Sequence, residues 1–167
     1  MRALESPDLH RLSFATGWME LGALHEARDE LARLTVEATK HPDVMEAYWV
    51  LAASEGDWKT ALSWAEKLLE SDSKRASGWL HRSYALRRVP GGSLSAARES
   101  LLPAVTRFPG EPTIPYNLAC YACQLGQIEE ARQWLLSARK VGDSETIKRM
   151  TLADEDLKPF WPEVADW

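Results

Sequence analysis

A glycine followed five residues later by an alanine recurs along this chain at nearly constant spacing. The pairs are Gly22/Ala27, Gly56/Ala61 and Gly126/Ala131, and Ala97 supplies a fourth alanine in the gap between the last two. The four alanines stand 34, 36 and 34 residues apart. A period of that length is one supersecondary unit that cannot bury its apolar face alone and must stack on its neighbours. The clearest copy runs from Pro115 to Ala138. Pro115 suits the first turn of a helix, where its missing N–H is not needed. Leu118, Ala119 and Ala122 follow at helical spacing, Gly126-Gln127 breaks the pattern, and Ala131, Leu135 and Ala138 form one stripe of a second helix. Facing alanines let two helix axes approach closely while leucines fill the remaining space.

The other copies read the same way. Ser6-Pro7-Asp8 opens a helix to about Glu20, with Leu9 or Leu12, Phe14 and Trp18 expected to be buried, and Leu24 to roughly Thr39 is its partner. Val44–Glu55 and Trp58–Ser71 form the second unit. Its first helix has Trp49 where a small residue is expected, so either the spacing widens or Ala52 or Ala53 makes the close contact. Ala76–Arg88 and Leu94–Phe108 form the third. Its turn, Val89-Pro90-Gly91-Gly92-Ser93, holds the two extra residues where insertion costs least. Pro103 should kink the second helix of that unit or shift its start. After the fourth unit, Ser144 to about Leu152 forms a last helix that closes the apolar end. The tail around Pro159-Phe160-Trp161-Pro162 is too proline-rich for a helix and is expected to fold back onto the helices before it.

This spacing and these residue types resemble the tetratricopeptide repeat, a helix-turn-helix unit of about 34 residues. The resemblance rests on Ala15, Trp18, Gly22, Ala27 and Leu31 in the first unit and on Gly56, Ala61, Ala65 and Leu68 in the second. The third contributes Trp79, Ser83, Ala97, Leu101, Ala104 and Pro109, and the fourth Leu118, Ala119, Gly126, Ala131, Leu135 and Ala138. It implies an all-α fold, a right-handed α-solenoid of about four repeats with a C-terminal capping helix. The expected layout is one domain over 1–167, with repeats at about 6–42, 43–75, 76–111 and 112–143 and the cap and tail at 144–167.

Composition narrows the function. A net charge of −5 argues against a general nucleic-acid binder, which needs a basic surface to neutralise phosphates. No apolar run approaches the roughly 18 residues of a membrane-spanning helix. The opening MRALESPDLHRL lacks the apolar core of a secretory leader, so a cytoplasmic location is expected. Cys120-Tyr121-Ala122-Cys123 spells CxxC, yet a zinc site needs about four ligands, and His10, His25, His41 and His81 are scattered between units. The pair also lies inside a helix rather than at the N-terminus that lowers a thiol pKa, so both cysteines read as small core residues. No nucleophile-and-base motif or phosphate loop is present. The expectation is a protein without catalytic residues, metal or cofactor.

Of the tryptophans, Trp18, Trp49, Trp58 and Trp79 read as core. Trp64 and Trp134 read as contacts with a neighbouring unit, and Trp161 and Trp167 as a docked or sticky end. What remains is the concave face, which in the family is lined by the first helix of each repeat. The resemblance maps it to Leu12, Thr16 and Met19; Glu46, Val50 and Ala53; Leu80, Tyr84 and Arg87; and Tyr116, Cys120 and Cys123, with Arg88 and Gln124 at the rim. An apolar groove with a few polar anchors suits a peptide or protein segment, which makes an interaction adaptor the expected function. A self-associating structural protein, with a possible homo-oligomer, or a secretion-type chaperone are the alternatives. Some family members clamp a peptide carboxylate with Lys, Asn and Arg at the first two groove positions. Here Leu12/Thr16, Glu46/Val50, Leu80/Tyr84 and Tyr116/Cys120 stand there, so that role is not implied.

Overall fold

Gly56 has φ of +75°, a left-handed conformation that L side chains resist. It ends its helix with two bonds: its own N–H donates to Ala53 O at 3.1 Å, and Asp57 N–H donates to Ala52 O at 2.9 Å. This is the glycine-terminated C-cap of a Schellman motif. Gly22 and Gly126 repeat it at +74° and +76°, with the matching bonds to Met19 and Trp18 and to Cys123 and Ala122. The period seen in the sequence is thus the period of one backbone device.

The computed structural model describes residues 3–167; Met1 and Arg2, the start of the stretch read for a leader, lie outside the described residues. Those residues form α1 (Ser6–Glu20), α2 (Leu24–Ala32), α3 (Pro42–Ser54), α4 (Trp58–Ser71), α5 (Ala76–Leu86), α6 (Leu94–Arg107), α7 (Thr113–Gln124), α8 (Ile128–Val141), α9 (Ser144–Ala153) and α10 (Trp161–Ala165). Short 3₁₀ turns occupy Ala38–Lys40 and Glu155–Phe160, and no strand occurs among the described residues. The helices gather into two compact units, Met1–Pro90 and Gly91–Trp167.

In the first unit, α1 pairs with α2 and α3 with α4. Ala27 and Ala61 are fully buried at the contacts. Ala15, Ala27, Leu31, Val44, Ala47 and Leu51 form one core cluster. Ala52, Ala61 and Ala85 form another, with Trp49, Trp58 and Leu62 against it. Ala52, not Ala53, therefore makes the close contact, and Trp49 turns aside to stack on His81 at 3.8 Å and 11°. The helix expected to reach Thr39 stops at Ala32. The cause is Asp8: its carboxylate accepts from Thr35 N–H at 3.1 Å and from Thr35 Oγ1 at 2.6 Å. Thr35 Oγ1 in turn accepts from Ala38 N–H, so side chains capture backbone that a helix would need. Ser6 is already helical and caps nothing; Glu5 holds the N-cap position. Phe14 and Trp18, expected inside, are exposed, because α1 meets α2 and α3 through Leu12, Ala15 and Met19.

In the second unit α7 pairs with α8 and packs on α6. Ala97, Leu101 and Ala104 of α6 are fully buried, as are Leu118, Ala119 and Ala131. Helix α6 runs from Leu94 through Pro103 to Arg107, so the proline does not set its start. The tail corrects the expectation of a non-helical strip. Pro159 is accommodated in the 3₁₀ turn and Pro162 in the first turn of α10, where a missing N–H is tolerated. Leu157, Phe160 and Val164 of this segment are buried in the cluster of Ala119, Ala131, Leu135 and Ala138.

Candidate functional site

Five of the expected groove residues lie together. Leu12, Thr16 and Met19 of α1 and Glu46 and Val50 of α3 line a depression of about 480 Å³, completed by Glu20, Asp43, Ala47 and Ser54. Helical periodicity assembles it: rows spaced three or four apart on α1 and on α3 face each other across the helix pair. Glu20 and Ser54 were missed, though each stands four residues beyond a named position, Thr16 and Val50, so extending the rows would have found them. The walls are apolar and the rim is acidic. Two of the acids are held in place: Arg75 reaches Asp43 at 2.6 Å and Glu46 at 3.3 Å, and Ser77 donates to Glu46. Glu20 is exposed.

On α5 the expected residues form a different feature. Tyr84 is exposed and meets Trp49 edge-on, with ring centroids 6.2 Å apart. The Arg88 guanidinium lies 3.5 Å from the Tyr84 ring centroid and 5.1 Å from that of Trp58. This is a cation held on two aromatic faces. Leu80 and Arg87 are half-buried. Beneath them, burial pulls the His81 imidazole down to a pKa of about 4 against a weaker opposing pull from Glu46, so its ring is neutral in its stack with Trp49.

The α7 positions are occupied by the chain itself. Tyr116 and Cys120 are buried. The Tyr116 hydroxyl donates to Asp154 at 3.1 Å, the Cys120 thiol lies 3.5 Å from the same carboxylate, and Gln124 donates to Asp156 O at 3.3 Å. Leu157 and Phe160 complete the cover. The expectation that Tyr116, Cys120 and Cys123 open onto a groove, with Gln124 at its rim, is therefore corrected: the residues from Asp154 to Phe160 sit there. Burial, reinforced by the Asp156 and Asp154 charges, pushes the Cys123 thiol pKa up. That is the opposite of an activated redox cysteine. Among the described residues no three His, Cys, Asp or Glu side chains converge as metal ligands, and no helix is long and apolar enough to cross a membrane. The tail tryptophans are engaged internally. Trp161 donates its Nε1–H to Thr151 O at 2.9 Å, and Arg139 lies 4.5 Å from the Trp167 ring.

No protein-family model and no curated protein matches the chain. Solved structures do match. MamA 41-end from Desulfovibrio magneticus RS-1 superposes with a TM-score of 0.70 at 16% identity, covering 98% of this chain and 96% of that one. The RS-1 MamA ArsTM double mutant gives the same values. MamA of AMB-1 covers 78% of this chain and 70% of its own, at 19% identity and a TM-score of 0.60. At such identities the likeness is one of fold.

Proposed function

We propose that this chain, an all-α fold of the tetratricopeptide-repeat type, is a non-catalytic adaptor that holds a protein segment in the depression between α1 and α3. The observation carrying the reading is that apolar side chains from two helices line a preformed hollow with carboxylates at its edge. Such a site suits a segment that inserts one or two apolar side chains and carries a basic residue to meet the exposed Glu20, since Arg75 already pairs with Asp43 and Glu46. Each buried anchor contributes about 1.5–3 kcal/mol, which after ordering costs corresponds to binding of roughly micromolar strength. Tyr84 and Arg88, with Leu80 and Arg87 beside them, offer a second contact region on the same unit. The fit of the site is to a protein partner rather than to nucleic acid, given the acidic rim.

A photo-crosslinking residue at Thr16 tests this, with partners captured from extract by the wild type and by Val50→Glu. Val50 is exposed enough that glutamate leaves the helix pair intact. Capture of a defined partner that Val50→Glu loses, with unchanged thermal unfolding, is the expected outcome. The same crosslinks from both proteins would remove the depression from consideration.

A further inference from the structure

In the repeat register Glu20, Ser54 and Arg88 are equivalent, 34 residues apart, and so are Thr16, Val50 and Tyr84. The α1 and α3 members of both rows line the depression described above. The α5 members stand beside them, since Tyr84 meets Trp49 of α3 at 6.2 Å. The inner row keeps Val50 and Tyr84 exposed. The outer row changes sign along its length: an exposed acid at Glu20, an exposed hydroxyl at Ser54, and a half-buried guanidinium at Arg88.

Arg88 differs from Arg11, Arg28, Arg33 and Arg75 of the same unit, each of which pairs with a carboxylate. Among the described residues no carboxylate pairs with Arg88. Two rings hold its guanidinium instead, with centroids at 3.5 Å for Tyr84 and 5.1 Å for Trp58. One hydrogen bond adds to them, Nη1–H donating to Tyr84 O at 3.2 Å. The rings take the face of the planar group, whereas its N–H donors lie in the plane. A guanidinium held this way can receive a carboxylate edge-on through parallel N–H···O bonds. The stack has already ordered the side chain, so less freedom is lost on binding. Arg88 stands four residues beyond Tyr84, outside the Leu80/Tyr84 pair of clamp positions, and is a separate contact.

We infer that Arg88 receives an acidic side chain of the segment held at the α1–α3 depression, so that the segment is read by its order of charges. A basic residue meets Glu20, an apolar one enters beside Val50, and an aspartate or glutamate meets Arg88. This rests on the adaptor reading and adds to it the signs and spacing of the partner's charges. Helix α3 packs on both α1 and α5, and packed helices lie about 8–10 Å apart, which puts Glu20 and Arg88 roughly 20 Å from each other. Extended chain covers that distance in about six residues. A uniformly basic segment, which Glu20 alone would admit, is disfavoured by the cation at the other end.

Selection of a displayed library of short random peptides on the full chain tests this, with Val50→Glu and Arg88→Glu selected in parallel. Peptides kept by the wild type and lost by Val50→Glu should carry Asp or Glu about six residues from Lys or Arg. The strongest of them, synthesised, should bind Arg88→Glu at least about tenfold more weakly than wild type. Its counterpart with that acid changed to lysine should reverse the preference. The reversal is a gain of binding, which a misfolded variant could not give. Val50-dependent peptides that show no acid preference, or that bind Arg88→Glu and wild type alike, overturn the inference and leave the adaptor reading in place. A failure of the lysine counterpart to prefer Arg88→Glu also overturns it. A selection that yields no Val50-dependent peptide overturns both.

Discussion

His81 shows how one side chain couples the core of the first unit to pH. Its folded pKa is about 4 and its ordinary value 6.5, because burial against Trp49 disfavours the imidazolium. Above 6.5 both folded and unfolded chains hold it neutral. Between 6.5 and about 4 only the unfolded chain takes up the proton, so stability falls as pH falls through that window. The loss approaches about 3 kcal/mol at its lower end. Denaturant titrations from pH 7 to pH 4 should show that decline in the wild type and a flatter profile in His81→Phe, which keeps a ring on Trp49. Equal pH slopes would mean the imidazole is accessible to water. Lysine or arginine at this position would be a poor substitute, since a permanent charge would be placed in the same buried stack.

At the level of the helix pair, stability depends on two small residues per hairpin. Gly126 has φ of +76°, so Gly126→Ala forces a side chain into a left-handed turn and should cost roughly 1–2 kcal/mol. Ala131 is fully buried in the cluster with Ala119 and Leu135. Ala131→Leu should therefore destabilise by about 1–3 kcal/mol through overpacking, and so should Ala61→Leu in the first unit. Urea unfolding checks both; an Ala131→Leu protein as stable as the wild type would mean that α7 and α8 are more loosely packed than described. A milder case is Ser93, whose Oγ accepts from Ala96 N–H at 3.0 Å to cap α6. Ser93→Ala should cost about 1 kcal/mol.

For the second unit as a whole, the closing segment is part of the core. Phe160 is buried with Tyr116, Ala119 and Cys123, so Phe160→Ala should cost about 3–5 kcal/mol and loosen the cover over α7. Thiol labelling reads this directly. Cys120 and Cys123 are both buried and not joined in a disulfide, so they should react slowly in the intact chain and many times faster in Phe160→Ala under native conditions. Fast labelling of the intact chain would show that Asp154 to Phe160 leave the face readily. This cover confines the proposed adaptor surface to the first unit. Trp161 and Trp167 also make contacts within the chain.

The hairpins were legible in the sequence because they follow from local rules. A left-handed glycine ends α1, α3 and α7, a buried alanine follows five residues later, and 3.6-residue periodicity places the apolar stripe. The same periodicity was enough to bring Leu12, Thr16, Met19, Glu46 and Val50 to one hollow once α1 and α3 lay side by side. What no local rule carried was which faces would be covered. Cys120 and Tyr116 occupy groove positions in the register as surely as Thr16 does, yet the tail seals them and leaves Thr16 open. Phe14 and Trp18 read as core and face outward. The end of α2 was likewise decided by Asp8, 27 residues before Thr35 in the chain. Most turns and helix pairings depend on neighbours in sequence, which the chain states outright; exposure, and the end of a helix such as α2, depend on what reaches it from far along the chain, and only the tertiary structure decides that.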